Sequence, residues 1–315
     1  MDLHGRQLCE IYTDLLIQYA KGDERICIVE SDLMRAIQTL KFREVYPKRS
    51  VDLGVQEANM IGVAAGMSTL GLIPFTHSFT PFASRRCCDQ ITLSVSYAKL
   101  NVKMIGSDPG VTAMLNGGTH MSFEDIAILR NIPDMVIYEP VDGVQLANMF
   151  PKILEYHGAV YIRLLRREFP SIFEDGQEFE LGKATTIKEG TDVSIICSGI
   201  MVHEALEAEK ILANEGISAS VVNMHTIKPL DTQAVINEAK KTGAMVTAEN
   251  HSILNGLGGA VCECLADEYP IPVKRVGVKD HFGEVGMQDF LMEKYGLLAK
   301  DIVEAAKASI SMKRG

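Results

Sequence analysis

At 315 residues, 47% of them apolar and 23% charged, the chain has the composition of a globular protein with room for about two domains. Its formal net charge of −10, with no basic run longer than Leu165-Arg166-Arg167, argues against a nucleic-acid partner. The most apolar stretch, 61–75, carries Ser68 and Thr69 and is too short to cross a bilayer.

Residues 11–20 read as a short amphipathic helix, and 25–29 as a buried strand running into Glu30-Ser31-Asp32. An extended segment then meets Gly54. A nearly uncharged helix follows, with Glu57 at its head and small residues at Ala58, Gly62, Ala65 and Gly66. Strand-like runs return at 102–105, 135–138 and 160–164, with helical patterns at 89–99, 123–130 and 144–154. Apolar strands alternating with helices predict a parallel sheet covered on both faces. Over 168–191, turn signals such as Phe169-Pro170-Ser171 and Asp175-Gly176 mark a boundary. A second alternating pattern has strands at 192–197, 218–223, 245–249 and 273–276, helices at 202–215, 231–241 and 257–267, and two terminal helices. The expected fold is α/β, with two doubly wound domains at 1–175 and 191–315 and a linker at 176–190.

The seven cysteines follow no disulfide or zinc spacing, as expected of reduced thiols in a cytoplasmic protein. The opening Met1-Asp2-Leu3-His4-Gly5-Arg6 does not have the form of a secretion signal.

Ligands in open parallel sheets gather at the carboxyl ends of strands. Asp32, the Ser107-Asp108-Pro109-Gly110 loop, the Asn116-Gly117-Gly118-Thr119-His120 loop and Arg166 all fall at or after such ends. They either surround one pocket or are scattered loop polarity. The helix after His120 is expected to be capped by Ser122, with Asp125 three residues on. Phe79 and Phe82, three apart, lie close together if their segment is helical; they either stack a planar ring or pack a core. Glu57 is a solvated first-turn residue by charge pattern. Alternatively it is a carboxylate held in an apolar site to exchange a proton with a ligand. His225, His251 and His281 read as structural or loop histidines.

The order of these pieces resembles the C-terminal portion of transketolase-type thiamine diphosphate enzymes, over nearly the whole chain. The resemblance is carried by Ser31-Asp32-Leu33, Gly54-Val55-Gln56-Glu57, Phe79-x-x-Phe82, Gly118-Thr119-His120, Glu139-Pro140-Val141-Asp142-Gly143 and Leu165-Arg166-Arg167. It continues through the run from Val222 to Asp231, Glu249-Asn250-His251 and Asp280-His281-Phe282-Gly283-Glu284. It implies a pyrimidine-binding domain followed by the family's C-terminal domain. The diphosphate-binding domain that normally precedes them carries a Gly-Asp-Gly motif and a downstream Asn, and no such motif occurs here, where Met1 reads as a true start. The resemblance therefore implies the C-terminal (β) subunit of a split transketolase. Its α subunit would hold Mg2+ or a similar divalent cation, with no metal ligands in this chain, and the assembly would be α2β2 with β–β contact.

By the same resemblance Asp32, Glu57, Phe79 and Phe82 face the cofactor, with Glu57 hydrogen-bonded to the far pyrimidine nitrogen and the two phenylalanines stacked on the ring. Apolar surroundings would favour the protonated form of Glu57. His120 stands near the donor hydroxyls, and Arg166 matches a phosphate-binding arginine suited to bidentate contact. Asn116 and Ser107 complete the sugar side, standing where the family has Asp and His. Ala36 replaces a usual phosphate-contacting Ser, and Arg85 an aromatic. Arg85 or Arg35 is a possible substitute for the lost phosphate contacts. The expected reaction is transfer of a two-carbon ketol unit from a ketose, expected to be phosphorylated, to an aldose. The alternatives are the β subunit of a 2-oxo-acid dehydrogenase's decarboxylating component, a deoxyxylulose-phosphate synthase fragment, and a noncatalytic partner subunit. Ala58, Gly62 and Ala65 are expected to bring a partner chain close to Glu57.

Overall fold

In the computed structural model, which describes residues 2–313, the chain forms two α/β units with mainly parallel sheets, as expected. The first contains α1 (Leu8–Ala20), β1 (Ile26–Glu30), α2 (Leu40–Val45), β2 (Ser50–Asp52), α3 (Glu57–Thr69) and β3 (Ile73–Phe79). It continues through α4 (Cys88–Gln90), extended by π-helical turns over Ile91–Tyr97, then β4 (Lys103–Ser107), α5 (Asp125–Arg130), β5 (Val136–Tyr138), α6 (Gly143–Glu155) and β6 (Val160–Leu164). The second contains β7 (Thr185–Lys188), β8 (Val193–Cys197), α7 (Met201–Asn214), β9 (Ala219–Asn223), β10 (Thr226–Lys228), α8 (Thr232–Thr242) and β11 (Met245–Ser252). It closes with α9 (Leu257–Glu268), β12 (Val273–Val278), α10 (Gln288–Tyr295) and α11 (Ala299–Ser311).

The first sheet runs β10-β5-β6-β4-β3-β1-β2 and the second β12-β11-β8-β9-β7. All neighbours are parallel except β10 on β5 and β7 on β9. Two features differ from the expected boundaries. The stretch read as a linker contains β7, whose alternating burial marks a one-faced edge strand. Strand β10, from the second unit, completes the edge of the first sheet, with Thr226 opposite Tyr138. The units thus share hydrogen-bonded backbone as well as side-chain contacts.

β3 is a central strand that periodicity does not reveal. Thr76, His77 and Ser78 are all fully buried, and His77 and Ser78 find polar partners on opposite faces of the strand, whereas the Thr76 hydroxyl has none among the described residues. His77 lies 2.8 Å from the Glu30 carboxylate and 2.7 Å from the Tyr12 hydroxyl. On the other face, Ser78 points to α3. The Asp52 carboxylate accepts the N–H groups of Asp32 and Gly54, each at 3.0 Å. That ties the end of β1 to the turn that launches α3, where Gly54 sits at φ 73.

Candidate active site

Glu57 begins α3 and is 2% exposed, so it is not the solvated first-turn residue that charge pattern predicts. Nor is its site simply apolar. The Ser78 hydroxyl donates to Oε1 at 3.0 Å, and Arg86 Nη1 donates to Oε2 at 2.8 Å. Phe79 ends β3 and Phe82 follows in a turn, so strand and turn bring the two rings together, not the helix that their spacing allowed. Their centroids are 6.4 Å apart and edge-to-face. The half-buried His120 ring packs edge-on against both, at 5.5 and 5.1 Å, with Nδ1 2.9 Å from the Thr119 hydroxyl. Arg86 lies 3.8 Å from the centre of the Phe82 ring, and Arg166 lies 5.0 Å from that of Phe79. A continuous line of contacts therefore runs from Glu57 through the aromatic rings to Arg166.

Arg166 opens onto a cavity of about 780 Å³. Gln7, Ala36, Asp108, Asn116, Arg167 and Glu168 contribute to its wall from the first unit, and Met287, Gln288 and Asp289 from the second. Inside it, Arg166 Nε donates to Asp108 Oδ2 at 2.6 Å, and Nη2 approaches the same oxygen. Burial holds the Asp108 carboxyl above its ordinary range, and Arg166 offsets part of that rise.

The remaining expected site residues fare differently. Asn116 lines the cavity. Ser107 does not; it is fully buried at the end of β4, and its hydroxyl has no partner among the described residues. Asp32 is exposed, held by its backbone at φ 62, and takes no part in the contacts around Glu57. Neither Arg85 nor Arg35 replaces a lost cavity contact. Arg85 pairs with Glu124 beside a second cavity, and Arg35 is exposed and does not line the first, although its neighbour Ala36 does. On α3, Ala65 turns into the first unit's core, whereas Gly62 and Gly66 stay exposed.

Sequence reading missed the support behind this site. The expected Ser122 cap with Asp125 does not form. Asp125 is buried and takes Arg163 Nε at 2.8 Å and the Tyr161 hydroxyl at 3.0 Å. Arg163, also fully buried, donates to Glu139 at 2.5 Å and to the Asn250 carbonyl at 3.0 Å. The second unit's Ser198 closes on Glu139 at 2.7 Å. The Asn250 side chain clasps the loop after Asp108. Its Oδ1 accepts the Val111 N–H at 3.0 Å, and its Nδ2 donates to the Pro109 carbonyl at 2.8 Å. Gly110 lies between, at φ 55, where any Cβ would collide with Asn250. Likewise a Cβ at Gly118 would strike the Gly283 carbonyl, so the 280s loop packs directly on the loop that carries His120.

Residues 5–171 match the family described as transketolase, pyrimidine binding domain, and residues 182–302 match transketolase, C-terminal domain. Over 304 residues the chain is 59% identical to the 6-deoxy-6-sulfo-D-fructose transketolase subunit SqwH of Clostridium sp. (strain MSTE9), covering 96% of this chain and 94% of that one. A putative transketolase C-terminal section of Methanocaldococcus jannaschii is 42% identical over 303 residues, covering 94% and 95%. A solved structure described as a split gene transketolase, inactive beta4 tetramer, superposes with a TM-score of 0.90 at 42% identity, covering 98% of this chain and all of that one. The chain belongs to the transketolase family, whose thiamine diphosphate-dependent reaction is ketol transfer.

Proposed function

We propose that this chain is the C-terminal subunit of a two-chain transketolase whose donor is a ketose bearing a sulfonate at the end remote from its ketol carbons. The observation that carries this reading is the 59% identity, over nearly all of both chains, to a subunit named for 6-deoxy-6-sulfo-D-fructose. The arginine-bearing cavity beside the aromatic cluster supports it. The sulfonate takes the place of the phosphate that the motif pattern leads one to expect. Loss of a two-carbon ketol unit from such a six-carbon donor leaves a four-carbon aldose that carries the sulfonate.

The residues fit the cofactor. Glu57 is a buried carboxylate with a fixed serine donor, and Phe79 and Phe82 offer half-buried ring faces beside it. A flat heteroaromatic ring with a nitrogen acceptor suits that set, provided Arg86 yields its place on Glu57. When bound, thiamine diphosphate supplies the carbon nucleophile and electron sink. Glu57 would face the ring and exchange a proton with it, Phe79 and Phe82 would orient it, and His120 would reach the donor hydroxyls. Arg166 and Arg167 hold the anionic end. The diphosphate and a divalent cation fall to an N-terminal partner subunit, in an α2β2 assembly. The related β-only tetramer, described as inactive, supports that dependence. The unpaired cysteines support a reducing, cytoplasmic setting.

The test is coexpression with the partner chain, then assay of 6-deoxy-6-sulfofructose, fructose 6-phosphate and pyruvate as donors with an aldose phosphate acceptor. Turnover of the sulfonated ketose by the complex, and not by this chain alone, is expected. Turnover of pyruvate alone would replace ketol transfer with an acyl-type reaction.

A further inference from the structure

Arg166 does not enter the cavity as an unopposed cation. The Asp108 side chain that meets it is 4% exposed. Its backbone is fixed at φ 55 and by an N–H bond to the Leu164 carbonyl at 3.1 Å. Because Arg166 Nε and Nη2 both turn to Asp108, the donors left for a ligand are Nη1 and the outer N–H of Nη2. The other charged groups on the wall are Arg167, Glu168 and Asp289, all exposed and without ion pairs among the described residues. Two guanidinium groups thus face three carboxylates. A tail with one charge meets Arg167 and the open edge of Arg166. A second charge on the tail meets the field of Asp108.

We propose that Asp108 is a specificity-determining residue which, by offsetting Arg166, tunes the cavity to a monoanionic sulfonate over a dianionic phosphate. The proposal rests on the anionic-ketose reading above and deepens it. A phosphate monoester carries about 1.5 to 2 negative charges near neutrality, its second pKa lying near 6. A sulfonate keeps a single charge across that range. The two tails are otherwise alike in having three acceptor oxygens on a tetrahedral centre. Charge is therefore the handle left for discrimination, and a buried carboxylate a few ångströms from the binding guanidinium acts on it.

The experiment uses the complex with its N-terminal subunit and reads the ratio of kcat/KM for fructose 6-phosphate to that for 6-deoxy-6-sulfofructose. In the native complex this ratio should rise as pH falls from 8 to 6 and the phosphate gains a proton, since enzyme ionisations shared by both donors cancel. Asp108→Asn, which keeps the side-chain shape and tolerates the same backbone, should raise the ratio at pH 8 by about tenfold and flatten its pH dependence. A ratio unmoved by both pH and substitution would overturn the proposal while leaving the sulfonate reading intact. The pH arm needs no variant, so a poorly folding Asp108→Asn protein still leaves a decision. A native complex that transfers from neither ketose would instead overturn the reading on which the proposal stands.

Discussion

Glu57 and Arg86 are joined at 2.8 Å, and the same guanidinium carbon lies 3.8 Å from the centre of the Phe82 ring. One exposed arginine thus covers both the carboxylate and the aromatic face that a cofactor ring needs. Binding must displace it. Because the ring takes Arg86's place on the buried Glu57, the net cost is that of releasing a half-exposed guanidinium to solvent, up to about 1 kcal/mol. Arg86→Met should accordingly tighten thiamine diphosphate binding by the complex about fivefold, measured by titration calorimetry. Weaker binding would mean that Arg86 grips the ring instead of guarding it.

Glu57→Gln keeps the shape of the buried side chain and the Ser78 contact but cannot exchange a proton. Turnover should fall by about 10² to 10⁴ while the cofactor still binds. Stopped-flow and equilibrium titration of one preparation separate the two effects. Near-normal turnover would remove Glu57 from the chemistry.

The two arginines of the cavity should behave differently. Arg167 is exposed and pairs with no carboxylate among the described residues, so Arg167→Ala should raise KM for an anionic ketose and leave the melting temperature unchanged. Arg166→Ala should also raise KM, but it strands Asp108, 3% exposed, without its partner. A buried carboxylate left alone is destabilising, so this variant should melt several degrees lower. Equal melting temperatures would show that solvent or a neighbour takes over from Arg166.

What the sequence disclosed and what it hid follow from the range of each interaction. Strands such as 160–164 and 193–197 were legible because short, mostly apolar runs mark strands buried on both faces, even with Arg163 and Ser194 among them. β3 was not, because its His77 and Ser78 find polar partners on α1, β1 and α3 that no local pattern records. Glu57, Phe79, Phe82, His120 and Arg166 were legible only through the order of motifs; composition alone favoured a solvated Glu57. Arg167 stood next to Arg166 and its adjacency was the available signal. Asp289 and Gln288 had none, since they reach the cavity from over 100 residues away in sequence. Ser122 and Asp125 show the opposite error: their spacing fits a helix cap, yet a buried arginine from β6 takes Asp125.

Acid should loosen the fold through two histidines. Burial, aided by Lys152, pushes His225 down to about 4, and burial pushes His251 to about 4 despite Asp125. Both are depressed below the ordinary 6.5 of an unfolded chain. Between pH 6.5 and 4 the unfolded state therefore holds more protons, and stability falls as pH falls. Above pH 6.5 the two contribute no slope. His225→Phe, which keeps a ring between Tyr138 and Phe179, should make the decline shallower by up to about 1.4 kcal/mol per pH unit. Denaturant melts at half-unit pH steps would measure this. An unchanged slope would show that His225 takes up a proton in the folded chain as readily as in the unfolded one.

Asn250 is where the second unit holds the anion-binding loop of the first. Its amide satisfies the Val111 N–H and the Pro109 carbonyl, one residue beyond Asp108, and its own carbonyl takes Arg163. Asn250→Ala removes both side-chain bonds and leaves the buried Val111 N–H unpaired, while Thr112 still serves the Pro109 carbonyl, a loss of about 1–3 kcal/mol. The functional effect should be selective. With the loop free to shift, Asp108 and Arg166 lose their fixed geometry, whereas Glu57 and Phe82 are anchored by α3 and β3. KM for an anionic ketose should therefore rise well above any change for an uncharged ketose such as fructose, with kcat for the anionic donor nearly retained. Parallel losses for charged and uncharged donors would mean that Asn250 only holds the two units together.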